Sequence, residues 1–151
     1  MIKNMIPKFN TDGLLPSGLH LASIDEVEKR FTHNDHRGKI FDGFKKAISS
    51  LKQCGCKYVY LDGSFVTTKQ LPSDFDACWE EEGVDIFALR VIEPVLLEFS
   101  NNRAAQKAKF MGEFFPAKLA AENKHPHRVF LDFFQTDKNT GHTKGIIKIK
   151  L

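Results

Sequence analysis

Residues 58–80 read YVYLDGSFVTTKQLPSDFDACWE, two extended runs joined by a short polar loop. An apolar strand over residues 57–62 delivers the chain to Gly63 and Ser64, and a second strand over 74–80 opens with an Asp-x-Asp pair, Asp74 and Asp76. In extended backbone alternate side chains share a face, so the two carboxylates project together, separated by about 6–7 Å of backbone. Phe75, Ala77 and Trp79 fall on the opposite face and can enter a core. Neighbouring carboxylates held out of a core suit Mg²⁺, which prefers oxygen ligands and is usually held by one or two carboxylates together with substrate phosphates. Gly63 lets backbone N–H groups come close to an anion, and Ser64 adds a hydroxyl donor. Thr67 and Lys69 in the loop can also donate to phosphate oxygens, although solvated loop residues of these types are common. The order of these parts points to a metal-dependent phosphate site.

The Gly-Ser, spacer, Asp-x-Asp pattern between two strands resembles the signature of the DNA polymerase β-like nucleotidyltransferase superfamily. The wider wording, YLDGSFVTTKQLPSDFDACWE and much later FLDFFQTDKNTGHTKGI, is similar to a small bacterial group within it, related to the minimal nucleotidyltransferases of toxin–antitoxin operons. The superfamily motif spans only about residues 63–76, whereas the likeness to the small group spans most of the chain. The resemblance implies a mixed, twisted β-sheet backed by helices and a nucleoside triphosphate substrate. It also implies a protein or tRNA hydroxyl as acceptor, and a cognate toxin or antitoxin protein as partner.

Outward from that stretch, 151 residues fit one domain with a real core, and 42% apolar residues including 14 Phe support it. No apolar run approaches a membrane span and the first residues lack the apolar centre of a signal peptide, so a cytoplasmic location without membrane association is the default expectation. Three cysteines, two of them in Cys54-Gly55-Cys56, do not make a disulfide framework and are expected to be reduced. Residues 72–98 hold eight acidic side chains against one Arg, and residues 103–151 hold ten Lys or Arg against four Asp or Glu. Such asymmetry suits a site that joins metal-binding carboxylates to a polyanionic substrate, and ordinary surface charge explains it about as well.

Residues 1–22, rich in turn formers, read as an irregular arm packed on a domain that occupies 23–151. Ser23 can cap a helix over 24–31, with Asp25 and Glu26 in its first turn. The THNDHR segment, with His33 and His36, reads as a cap and turn rather than a metal site. Ile40, Phe41, Phe44, Ala47, Ile48 and Leu51 recur at helical spacing over 37–54, and Gly55 suits the C-terminal cap. Residues 85–100 predict one helix or two short ones broken before Pro94, and 101–109 a further turn or two. Residues 110–116 are open between strand and loop, and 117–128 read as a connection in which His125 and His127 are more simply exposed than ligating.

Residues 129–134, VFLDFF, predict a strand in which Asp132 interrupts an aromatic run. An edge position explains a lone carboxylate there, and so does a role as third metal ligand beside Asp74 and Asp76. The resemblance, which places a third carboxylate on a later strand, favours the latter. A turn at 139–141 and a last strand near 145–150 follow, with Lys144 within reach of a triphosphate. The sum is an α+β domain.

The expected mechanism places two Mg²⁺ ions on Asp74, Asp76 and Asp132, with Gly63, Ser64, Thr67 and Lys69 on the triphosphate, and transfers a nucleoside monophosphate with release of pyrophosphate. Two alternatives stay open: a catalytically silent module of the same fold that binds nucleotide or a partner protein, and a basic RNA-binding protein without chemistry.

Overall fold

The computed structural model describes residues 6–123 and 127–151. The two predicted strands form and pair: β2, Tyr58–Asp62, lies antiparallel to β3, Phe75–Trp79. Three more strands complete a mixed sheet, β1 (Gly18–Ala22), β4 (Gly112–Pro116) and β5 (Gly145–Lys150), in the spatial order β1-β5-β2-β3-β4. β5 runs parallel to β1 and antiparallel to β2, and β4 runs parallel to β3. Residues 18–22, expected to be irregular, are therefore an edge strand. Two residues of that stretch, Leu19 and Leu21, are exposed, so sequence pattern alone had little to mark it.

Helix α1, Ile24–Phe31, starts at Ser23, whose hydroxyl accepts the Glu26 N–H. Helix α2, Asp35–Gln53, starts at Asn34, whose side chain accepts the Arg37 N–H at 2.8 Å. Its predicted apolar stripe is buried, and Phe44 stacks on Phe114 while meeting Phe75 edge to face. Gly43 lies in the same stripe because a side chain would collide with the backbone of Phe110, 2.0 Å from where its Cβ would be. That contact sets α2 against α4, Ser100–Phe110. The 85–100 stretch divides as expected, into α3 (Ile86–Ile92) and a 3-10 turn over Pro94–Leu97.

The main core fills the face of the sheet that carries Val59, Leu61, Phe75, Ala77, Trp79, Phe114, Ile147 and Ile149. The opposite face holds a smaller apolar cluster of Tyr60, Cys78, Phe115 and Ile146, covered by α5, Phe130–Phe134. Cys54, Cys56 and Cys78 are buried free thiols. Among the described residues no helix is long and apolar enough to cross a membrane.

Helix α5 replaces the strand expected over 129–134, and the physical reason is the carboxylate in the run. As a strand, Phe130, Asp132 and Phe134 would share one face and bury Asp132 between two rings. As a helix, the i,i+4 pair Phe130 and Phe134 turns inward together onto Phe115, with the Phe130 ring stacked at 4.0 Å between centroids. Asp132, about 200° round the axis from Phe130, is then exposed.

Candidate functional site

The corner between β2 and β3 is tight. Gly63 adopts φ +85°, and a Cβ there would lie 2.9 Å from Asp76 Oδ2 and 3.1 Å from its amide nitrogen. Only glycine meets both demands. Residues Ser64–Val66 then form one 3-10 turn. Ser64 is half-buried at its start, and its carbonyl accepts from the Thr67 amide and from the Thr67 hydroxyl at 2.7 Å. Thr67 thus spends its hydroxyl inside the loop, accepting from Lys69 N–H as well. The Lys69 side chain is exposed.

Asp74 stands one residue before β3 and Asp76 inside it, both partly buried. The sheet register puts Asp62 opposite Asp76 and Asp76 opposite Glu113 of β4. Directly paired residues share a face, about 4.5–5.5 Å apart at Cβ, so three adjoining strands present a row of carboxylates on the face that α5 partly covers. Cations border the row. Lys144 Nζ donates to Asp62 Oδ1 at 2.9 Å, and Glu113 pairs with Lys107 at 2.9 Å and Arg103 at 3.3 Å. The Arg103 guanidinium also lies over the Phe115 ring, and Asn101, Asn102 and Arg103 carry it there on left-handed backbone.

Charge crowding shows in the acidities. Burial, then the charges of Asp62, Asp74 and Glu113, push the Asp76 carboxyl up to about 7. Burial followed by Glu113 raises Asp74 as well. Burial also raises Asp62 against the opposing pull of Lys144.

Of the residues expected to act together, Asp74, Asp76, Gly63 and Ser64 meet at this corner. Asp132 is exposed on α5, and the sheet register places Glu113 rather than Asp132 beside Asp76. Lys144, expected to reach a triphosphate, is engaged by Asp62. His33 is exposed, His36 bonds the Pro72 carbonyl, and His127 is exposed with its ring on the Glu122 carbonyl. His125 lies outside the described residues. Among the described residues no group of three or more His, Cys, Asp or Glu side chains is placed so that it could hold a metal ion.

Three residues of this site went unread in the sequence. Asp62 ends an apolar run just before Gly63, and Glu113 is the lone carboxylate of FMGEFFP; each offered the same signal that drew notice to Asp132. Arg37, which is fully buried and donates to the Phe65 and Thr67 carbonyls of the loop after Gly63, offered none.

The fold and site define a small α+β domain whose mixed five-stranded sheet carries a carboxylate row beside a Gly-Ser corner. The chain belongs to a family of unknown function, DUF6932, whose description matches residues 7–150. No curated protein and no solved structure matches it.

Proposed function

We propose that the chain is a metal-dependent nucleotidyltransferase of the polymerase β-like kind, transferring a nucleoside monophosphate from a nucleoside triphosphate to a protein or tRNA hydroxyl. The observation that carries this reading is the carboxylate row with Asp74, set beside the Gly63-Ser64 corner and built on successive strands β2, β3 and β4. Glu113 takes the place first assigned to Asp132 as third acidic ligand, because the register brings Glu113 level with Asp76.

The donor set fits Mg²⁺. Its oxygens are all carboxylate, and the weakened acidity of Asp76, raised first by burial and then by its acidic neighbours, is what a nearby cation would relieve. Asp74, Asp76 and Glu113 would hold it, as one ion or two. Bound there, Mg²⁺ supplies charge neutralisation for the polyphosphate and lowers the pKa of the acceptor hydroxyl. The chain's own groups do the rest. Ser64 would orient the phosphates, the exposed side chains of Lys69 and Lys138 would draw them in, and Lys107 and Arg103, beside Glu113, would face the departing pyrophosphate. The acceptor oxygen forms its bond to the α-phosphorus as the bond to pyrophosphate breaks, and the hydroxyl proton passes to a carboxylate of the row.

One observation favours a second reading. With Asp62 held by Lys144 and Glu113 by two cations, the row is partly neutralised from within, as a silent nucleotide- or partner-binding module would have it. A toxin–antitoxin setting, with a cognate partner protein, accommodates either.

The test incubates the protein with each of the four α-labelled nucleoside triphosphates, Mg²⁺, and total tRNA or cell extract. Label transferred by the wild type and lost in Asp74→Ala/Asp76→Ala supports the enzyme. Equal transfer by that control defeats it, and thermal stabilisation by nucleotide and Mg²⁺ without transfer supports the module.

A further inference from the structure

The loop between Gly63 and Asp74 anchors Phe65 and Val66 in the core at its start, but from Thr67 to Leu71 it has no buried apolar side chain, yet it must hold Ser64 on one side of the site and Asp74 on the other. Its backbone carbonyls are gathered by three side chains from the start of α2. The Arg37 guanidinium, with no exposed surface, donates to the carbonyls of Phe65 at 2.6 Å, Thr67 at 2.9 Å and Lys69 at 3.1 Å, and also to Phe31 at 3.1 Å. Asn34 Nδ2 donates to the Gln70 carbonyl at 2.9 Å, and His36 Nε2 bonds the Pro72 carbonyl. From the other side the Gly13 carbonyl accepts the Thr68 N–H at 3.1 Å.

A buried guanidinium costs desolvation, and here carbonyls repay it, each hydrogen bond to a charged donor being stronger than a neutral one. The five N–H donors of Arg in a fixed fork can serve several peptides at once, which Lys cannot. Carbonyls at 65, 67 and 69 all turn toward one cation, so none of those oxygens faces an incoming anion.

We propose that Asn34, His36 and Arg37 are positioning residues for the phosphate loop, fixing residues 65–72 so that Ser64 and Asp74 face one ligand. The segment THNDHR is then neither a metal site nor a mere helix start. The effect on nucleotide rests on the functional reading above; the effect on the loop does not.

Asn34→Asp separates the two duties of Asn34. Aspartate caps a helix as well as asparagine but has no amide N–H for the Gln70 carbonyl. His36→Phe removes the bond to Pro72, and His36→Gln keeps a donor.

In the ligand-free protein, Asn34→Asp and His36→Phe should speed amide hydrogen exchange over residues 65–73 by about tenfold with little change in melting temperature, and His36→Gln should restore it. With MgATP and MgGTP as probes, the apparent Kd should weaken about five- to tenfold in the first two variants and recover in the third. Loop exchange at the wild-type rate in both Asn34→Asp and His36→Phe overturns the proposal. So does unchanged nucleotide affinity despite faster exchange. If the wild type binds neither probe, the functional reading has failed, and the exchange measurement alone decides the role of the clamp.

Discussion

Replacing Asp76 with Asn should make the protein more stable and, on the proposed function, less active. In the fold the carboxyl of Asp76 titrates at about 7, raised by burial and by Asp62, Asp74 and Glu113, whereas in the unfolded chain an Asp titrates at about 3.9. Between those values the folded state binds the extra proton, so the contribution of this group to stability is fully present below pH 4 and is lost as pH rises through 7. A gap of about three units corresponds to about 4 kcal/mol, an upper bound because neighbouring carboxylates can take protons and share the strain. Asn is nearly the same shape, carries no charge, and its amide can donate to the adjacent carboxylates as the protonated acid does.

Thermal melts in EDTA should therefore place Asp76→Asn above wild type at pH 8, by at most about 8–16 °C, and close to it at pH 4.5, on the scale of about 2–4 °C per kcal/mol for a domain of this length. Mg²⁺ should narrow the difference at pH 8 by stabilising the wild type alone. A variant that melts below the wild type at pH 8, or a difference that does not change with pH, would refute the reasoning, because either result means that Asp76 is not held under electrostatic pressure.

Lys144→Met should leave Asp62 buried without its cation and cost about 3 kcal/mol at pH 8, a loss that shrinks in acid as Asp62 takes up a proton; urea titrations at both pH values measure it. Gly63→Ala, forced to positive φ with its Cβ against Asp76, should lose about 1–2 kcal/mol and, on the proposed function, most label transfer, read by melting and by the labelled-nucleotide assay. In that assay Glu113→Gln should fall at least tenfold while Asp132→Asn keeps wild-type turnover. The native thiols should resist alkylation at pH 8 and react fully in denaturant, since all three are buried and burial pushes Cys56 up to about 11 and Cys78 higher still.

How far the sequence carried the fold follows from how local each signal is. The α2 stripe, the Ser23 cap and the alternation through β3 are properties of a few adjoining residues, and each appears in the structure as expected. FLDFF is different. Five residues satisfy helix and strand periods about equally, and the choice belongs to Phe115, some fifteen positions earlier, whose ring offers a platform that only an i,i+4 pair can cover. The same limit hid Glu113. Its importance comes from standing opposite Asp76, and register between strands separated by α3 and α4 cannot be counted along a chain.

Arg37 carries this point from residues to design. A lone arginine after a helix cap looks like surface charge, because arginine is rarely buried. Here burial is possible because the loop from 65 to 69 offers carbonyls that no strand or helix claims, and that loop stays irregular because Gly63 and Pro72 interrupt regular backbone at its two ends. The unpaired carbonyls of the loop and the unpaired charge of the arginine solve each other's desolvation problem. Such an arrangement holds the peptide backbone without using any loop side chain. On the proposed function, Ser64, Lys69 and Asp74 are thereby left to meet a ligand, the division of labour that a binding loop on a rigid scaffold requires.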